Sequence, residues 1–253
     1  MLAVRKDDGV LTVFLVVFLV SAFAALMQAA VGFGFAVVFT PLLSLAMSAH
    51  DAVALSLILS MSLSLVVYYS DQPRASFRSV MPMFLAATLV TPLGVYALQV
   101  ANDHALRIAI GSAVLISVGG SLLTPHPVTE RPQRLPAIVG VGVLSGLLRG
   151  ATGMGGPPVV LYEHWRGAPM ADIRRRLLAF FALTGVAGTL LAAGSGVFTR
   201  DTFIHATAGL PAVAIALYGG RYIRPRLSVF WFRAISMGLL IFTGAVSVLG
   251  ALR

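Results

Sequence analysis

Val31-Gly32-Phe33-Gly34-Phe35 interrupts one long apolar run, and Thr152-Gly153-Met154-Gly155-Gly156 interrupts another 121 positions later. Glycine costs roughly 1 kcal/mol against alanine inside a helix, so two such breaks in apolar sequence imply backbone that has to turn. Asp51 and Asp172 keep the same offset. The correspondence reads as an internal duplication, with repeat 1 over about 10–123, a linker at 124–134 and repeat 2 over about 135–253. A duplicated membrane chain with a broken segment in each half is the pattern expected of a transporter whose site lies where the halves meet.

Composition places the chain in the membrane class. Of 253 residues, 58% are hydrophobic and 11% charged, and no long polar stretch remains to build a separate soluble domain. Apolar segments run over about 10–31, 35–49, 52–69, 80–99, 105–123, 135–149, 155–162, 177–197, 203–218 and 228–251. Those near 20 residues can cross a hydrocarbon core of about 30 Å as helices, whereas 35–49 and 155–162 are too short to do so comfortably. No run alternates like a barrel strand, so the fold class is all-α and polytopic. Each half reads as a glycine-broken helical hairpin, 10–31 into 35–49 and 135–149 into 155–162, followed by three spans. That gives about 8–10 membrane segments in one transmembrane domain, with the short hairpin arms re-entrant. Ala22-Phe23-Ala24 resembles a signal-peptide cleavage site, but the apolar run continues past it and has a counterpart at 135–149, which favours a retained span. Cysteine is absent, which excludes disulfides and thiolate chemistry.

The basic residues carry the topology. Loops 163–176, 70–79 and 219–227 are richer in arginine than their partners 48–52, 198–202 and 100–107, so each basic loop is matched with a poorer one in the other half. Two halves inserted in opposite orientations predict this under the positive-inside rule, and the inverted arrangement is the expectation. A parallel arrangement, with each glycine motif a kink in one long helix, leaves the basic residues nearly balanced across the membrane. Trp165 and Trp231 both fall beside arginine-rich loops, as an interfacial belt requires. Aromatic residues are not interleaved with a basic patch, so nucleic acid is not an expected partner.

Gly32-Phe33-Gly34 followed by Pro41, echoed by Gly153-Met154-Gly155-Gly156-Pro157-Pro158, resembles the TauE/SafE sulfite-exporter family, also called the toluene-sulfonate uptake permeases. Length and duplicated architecture agree, and the resemblance covers essentially the whole chain. It implies transport of small organic or inorganic anions, often sulfur-containing ones such as sulfite or sulfonates, across the bacterial inner membrane by a multi-pass protein. The first copy departs from the second in having Phe35 where the second has Gly156, and its proline stands at a different offset.

Candidate site residues follow from the breaks. A helix restarted after a glycine turn offers unpaired N–H groups at its positive dipole end to an anion, which nominates Gly32, Gly34, Gly153, Gly155 and Gly156 as substrate-binding; the alternative is that they serve close helix packing. Arg149 precedes the second motif by four residues and aligns at the same offset with Gln28. A charge at mid-membrane costs at least about 2.5–3.5 kcal/mol on insertion scales, so a ligand for a buried anion is one reading of Arg149. Arg149 and Gln28 then make an asymmetric clamp, one charged and one neutral; the alternative is that Arg149 snorkels to an interface. His205 is the candidate for proton coupling. Ser56, Ser60 and Ser64, four residues apart, read as a helix-packing face. Asp51, Asp103, Asp172 and Asp201 precede apolar runs and read as helix N-caps, while Glu163 reads as interfacial. No metal site and no cofactor are expected, and no nucleotide-binding loop or nucleophile with a base is present, so an enzyme is not expected. The expected partners are a small anionic substrate, the lipid bilayer and a second copy of the chain as a homodimer; the alternative functions are a passive anion channel and, behind it, a membrane-embedded enzyme.

Overall fold

A computed structural model describes residues 9–123 and 131–223, and they are helical throughout apart from short connections. The helices are α1 (Gly9–Val31), α2 (Phe35–Leu43), α3 (Ala49–Ser70), α4 (Met81–Val100), α5 (Asp103–Leu123), α6 (Leu135–Thr152), α7 (Gly156–Arg166), α8 (Met170–Gly194) and α9 (Arg200–Ile223). Six helices among the described residues, α1, α3, α4, α6, α8 and α9, are long and apolar enough to cross a membrane. The apolar segment 228–251 and Trp231 lie outside the described residues.

Helix ends depart from the apolar boundaries for local reasons. α2 stops at Leu43 because Ser44 to Met47 turn and Ser48 starts α3. α8 begins at Met170 and takes Arg174, Arg175 and Arg176 into its first turns. Hydropathy falls there, but the helix continues because the guanidiniums are paired: Arg174 Nε with Asp71 at 2.9 Å, Arg175 Nη1 with Asp172 at 3.3 Å and Arg176 Nη2 with Glu163 at 2.9 Å.

The aspartates are not the caps they were expected to be. Ser48 Oγ accepts from Asp51 N–H at 3.1 Å, Asn102 Oδ1 from Ala105 N–H at 2.7 Å and Thr199 Oγ1 from Thr202 N–H at 3.2 Å, while Pro169 holds the cap position of α8. Each short polar side chain just outside the helix reaches the open amides first. Asp51, Asp172 and Asp201 sit in first turns, where a negative charge meets the positive end of the helix dipole. Asp103, also in the first turn of its helix, accepts from Ala49 N–H of α3.

Three pairings hold the bundle together. α3 and α8 lie against each other, with Thr189 Oγ1 donating to Leu57 O at 3.0 Å and Gly185 facing Met61. α4 runs beside α6: Gly142 lies against Met83, Gly146 against Ala87, and Gly150 against Thr91 and Val95. A Cβ on Gly150 would stand 2.5 Å from Thr91 O, so only glycine permits this approach. In lipid, where tails are as apolar as leucine, such small-residue contacts supply the association that hydrophobic burial supplies in water. α1 runs beside α9, with Ser21 near Gly209. Exposed leucines repeat every four residues on the outer faces, Leu11, Leu15 and Leu19 on α1 and Leu85, Leu89 and Leu93 on α4, a stripe suited to acyl chains.

Polar contacts gather the helix ends into two sets. Asp71 meets Arg174, Arg131 N–H donates to Arg166 O at 2.8 Å, and Glu163 pairs with Arg166 and Arg176. Elsewhere, His50 meets Ala101 O at 3.1 Å, Arg107 reaches Ser44 O and Met47 O, and Gln99 reaches Ser195 O.

Candidate functional site

Each glycine motif is a turn between two helices. At the first, Gly32 N–H closes α1 on Gln28 O at 2.7 Å, and Gly34, with φ +110°, stands at the N-cap of α2. At the second, Gly153, with φ +74°, ends α6 in the left-handed conformation and donates to Arg149 O at 2.9 Å. The equivalence stops there. Gly155 has an ordinary φ of −77°, so its glycine answers to space rather than to angle: a Cβ would lie 3.0 Å from Arg149 Cβ and from Ser145 O. Ser145 Oγ donates to Gly155 O and pins the turn. Gly156 opens α7 beneath the Phe181 ring, and Pro157 and Pro158 follow it.

The surroundings of the two turns differ. Arg174 fills the space beside Gly32, with its Cγ 2.8 Å from where a Gly32 Cβ would stand, and its guanidinium is held by Asp71 and, at 3.2 Å, by Ala29 O. Gln28 is 3% exposed and its Nε2 donates to Ser64 Oγ at 3.1 Å. At the second turn Arg149 is 4% exposed and runs along α8, its Nε 2.8 Å and Nη2 3.7 Å from where Cβ atoms of Gly188 and Gly185 would stand. Neither Nε nor Nη2 has a hydrogen-bond partner among the described residues. Gly150, next in sequence, is level with Thr91, so α4 continues for nine more residues, about 13 Å at 1.5 Å per residue. Arg149 thus lies inside the bundle, between α6 and α8.

Arg149, Gly153, Gly155 and Gly156 therefore come together around one turn, while Gln28, Gly32 and Gly34 surround the other. No hydrogen bond joins Gln28 to Arg149 among the described residues. His205 sits at the α1–α9 contact, its ring edge-on to Phe14 at 5.7 Å. Glu163, expected at the interface, is 1% exposed and clamped between Arg166 Nη1 at 3.0 Å and Arg176 Nη2 at 2.9 Å. Beside it Arg131 stacks 4.5 Å over the Trp165 ring. A groove of about 400 Å³ between α3 and α9, lined by Val66, Leu210 and Val213 among others, is apolar and lies elsewhere.

The sequence reading passed over Gly185 and Gly188, whose absent side chains make room for Arg149, and Thr40, which lies 3.6 Å from the Cβ position of Gly153. Their signal was weak: two glycines three apart inside an apolar span, and one threonine before a proline. The four-residue series Gly142, Gly146 and Gly150 was a stronger one for helix packing.

Membrane-length helices packed around two glycine turns, with a guanidinium buried at one of them, define a polytopic membrane protein built on broken helices. Residues 17–247 match the family model described as Sulfite exporter TauE/SafE, and the chain belongs to that family. A curated relative, "Probable sulfite/organosulfonate exporter TauE" of Cupriavidus necator, is 29% identical over 163 residues, which is 63% of this chain and 63% of the relative. The match thus spans under two thirds of that relative's length. No solved structure matches the chain.

Proposed function

We propose that the protein is a secondary transporter that moves small sulfur-containing oxyanions across the bacterial inner membrane by alternating access, with Arg149 as the charged contact for the substrate. The observation that carries this reading is the Arg149 guanidinium, buried beside the second glycine turn with Nε and Nη2 unpartnered among the described residues. A buried cation without a carboxylate is costly, and an anionic ligand offering two oxygens is the natural complement of its planar fork. Family membership and the name of the curated relative point to the same class of substrate.

Alternating access draws support from the arrangement of the helices. In our reading repeat 1 spans about 10–123 and repeat 2 about 135–253, inverted with respect to one another. The partner swap agrees, since α1 lies against α9 and α4 against α6, while α3 and α8 cross at the centre. So does the placement of the hairpin ends: Arg166 at the end of α7 shares Glu163 with Arg176 at the start of α8, whereas Met47 after α2 meets Arg107 beside Asp103.

The test is a thermal-shift and binding screen of the purified protein against sulfite, sulfonates, sulfate and small carboxylates, since a native-state ligand raises apparent stability by mass action. The reading expects a sulfur oxyanion to bind, Arg149→Ala to abolish that binding, and substrate counterflow in vesicles, which a passive channel does not give. Wild-type affinity in Arg149→Ala would remove Arg149 from the site.

A further inference from the structure

We infer that Thr40 and Ser56 form a neutral hydroxyl subsite at the second glycine turn that, with Arg149, selects a monoanionic oxyanion over a dianion. The inference rests on the anion-transport reading above and extends it to residues that no feature of the family match assigns.

The starting observation is two orphaned hydroxyls. Thr40 Oγ1 and Ser56 Oγ are fully buried and have no hydrogen-bond partner among the described residues. They come from different helices, α2 and α3, and converge on one point, lying 3.6 Å and 3.1 Å from where a Cβ on Gly153 would stand. A helical threonine ordinarily satisfies its hydroxyl on the carbonyl one turn back, as Thr91 does on Ala87 O at 2.8 Å and Thr184 on Phe180 O at 2.8 Å. Thr40 does not. A buried hydroxyl left unpaired costs free energy, so two at the same place call for a polar occupant.

The serine face of α3 also fails to read as packing alone. Ser60 Oγ donates to Leu57 O at 3.3 Å and Ser64 Oγ accepts from Gln28, so both have partners, whereas Ser56, the one nearest the second turn, has none. The turn itself is short of donors. α7 opens with Gly156 and continues with Pro157 and Pro158, which lack N–H groups, so its first turn presents fewer amides to an anion than a helix N-terminus ordinarily does. Hydroxyls from α2 and α3 replace them.

Arg149 stands one helical turn before Gly153 on the same face of α6 and is the single cation bordering the turn among the described residues. Arg174 belongs to the other turn and is tied to Asp71, while Arg166 and Arg176 are tied to Glu163. Among the described residues the site therefore offers one full positive charge and neutral donors. A sulfonate or hydrogensulfite, with one negative charge spread over several oxygens on one sulfur, is matched in both charge and donor count. A dianion such as sulfate leaves one charge uncompensated in a low-dielectric setting.

The experiment measures methanesulfonate and sulfate binding calorimetrically on the purified full-length protein, for wild type, Thr40→Val, Ser56→Ala and Thr40→Ser. We expect methanesulfonate to bind wild type at least about tenfold more tightly than sulfate. Thr40→Val and Ser56→Ala should each weaken methanesulfonate about tenfold, and Thr40→Ser, which restores the hydroxyl, should return to within about twofold of wild type. Ligand-free melting temperatures identify any variant that is misfolded, and Ser56→Ala, which removes one oxygen from a packed helix, keeps the test alive should Thr40→Val fold poorly. Wild-type affinity in both Thr40→Val and Ser56→Ala overturns the subsite and leaves the Arg149 reading standing. Loss in Thr40→Ser equal to that in Thr40→Val shows that shape and not the hydroxyl matters, which also overturns it. Equal or tighter sulfate binding overturns the charge selection, and no binding of any sulfur oxyanion by wild type overturns both readings.

Discussion

Gly188→Ala separates the role of Arg149 from the stability of the bundle without touching a polar group. The new Cβ would stand 2.8 Å from Arg149 Nε and 3.3 Å from its Cδ, against an ordinary contact of about 3.5 Å or more. The guanidinium must therefore retreat by about 0.7 Å at Nε, and more at its tip, since the rest of the side chain pivots from a fixed backbone. Charge-assisted hydrogen bonds to an anion are worth about 1.5–3 kcal/mol each, and losing the alignment of one of a parallel pair predicts a Kd about tenfold weaker or more. Stability should move the other way. Alanine in the middle of a helix is favoured over glycine by about 0.5–1 kcal/mol, which offsets the strain of the displaced side chain. The expected result is an unchanged or raised melting temperature without ligand, together with weaker methanesulfonate binding by calorimetry. Wild-type affinity at wild-type stability refutes the placement of the anion on Arg149. A large fall in melting temperature refutes it too, because the change then acts on α6–α8 packing and not on a movable ligand.

Three further outcomes follow from the same geometry. Gly34→Val should cut transport while membrane protein levels hold, because the strain of φ +110°, about 1–3 kcal/mol, falls on a turn with open space around it; equal loss of protein and activity in a uptake assay with immunoblotting assigns Gly34 to folding instead. Gly150→Leu should reduce folded protein outright, since its side chain has to enter the α4–α6 contact where Thr91 O already stands 2.5 Å from a Cβ, a case of overpacking at about 1–3 kcal/mol or more; size-exclusion chromatography after detergent extraction should show loss of the monodisperse peak, and a wild-type profile contradicts the contact. Single cysteines at His50 and Asp172, introduced into a chain that has none, should label from opposite sides of the membrane, and labelling from one side only rules out the inverted arrangement.

The sequence made the breaks legible because glycine pairs inside apolar runs have few other uses, and it made Arg149 legible because a charge there is expensive. It misled on helix ends wherever charge was taken for a boundary. α8 runs straight through Arg174, Arg175 and Arg176 because Asp71, Asp172 and Glu163 meet them, and two of those three carboxylates come from outside α8. The expected Arg149–Gln28 clamp concerns a shared anion rather than a contact between the two side chains, which the structure places at separate turns. A constant offset aligns residues along the chain, but it does not say that aligned residues meet, and here each sits at its own turn. Space was the least legible property. Gly155 and Gly188 are glycines because of what Arg149 and Ser145 occupy, and no local pattern in their own segments announces that.

The contrast between the two turns is itself the argument for where a substrate goes. At the first, the arginine beside Gly32 is neutralised by Asp71 and held by Ala29 O, and the amide of Gln28 is spent on Ser64. At the second, Nε and Nη2 of Arg149 and the hydroxyls of Thr40 and Ser56 are buried and have no hydrogen-bond partner among the described residues. Both turns provide a left-handed glycine and a restarted helix, so backbone alone does not distinguish them. Side chains do: an anion arriving at the first turn has to displace a carboxylate already paired with its arginine, whereas one arriving at the second meets a charge and hydroxyls whose desolvation has already been incurred in folding. On the proposed reading the second turn is therefore the lower-cost place for an anion, since its donors need displace no paired carboxylate.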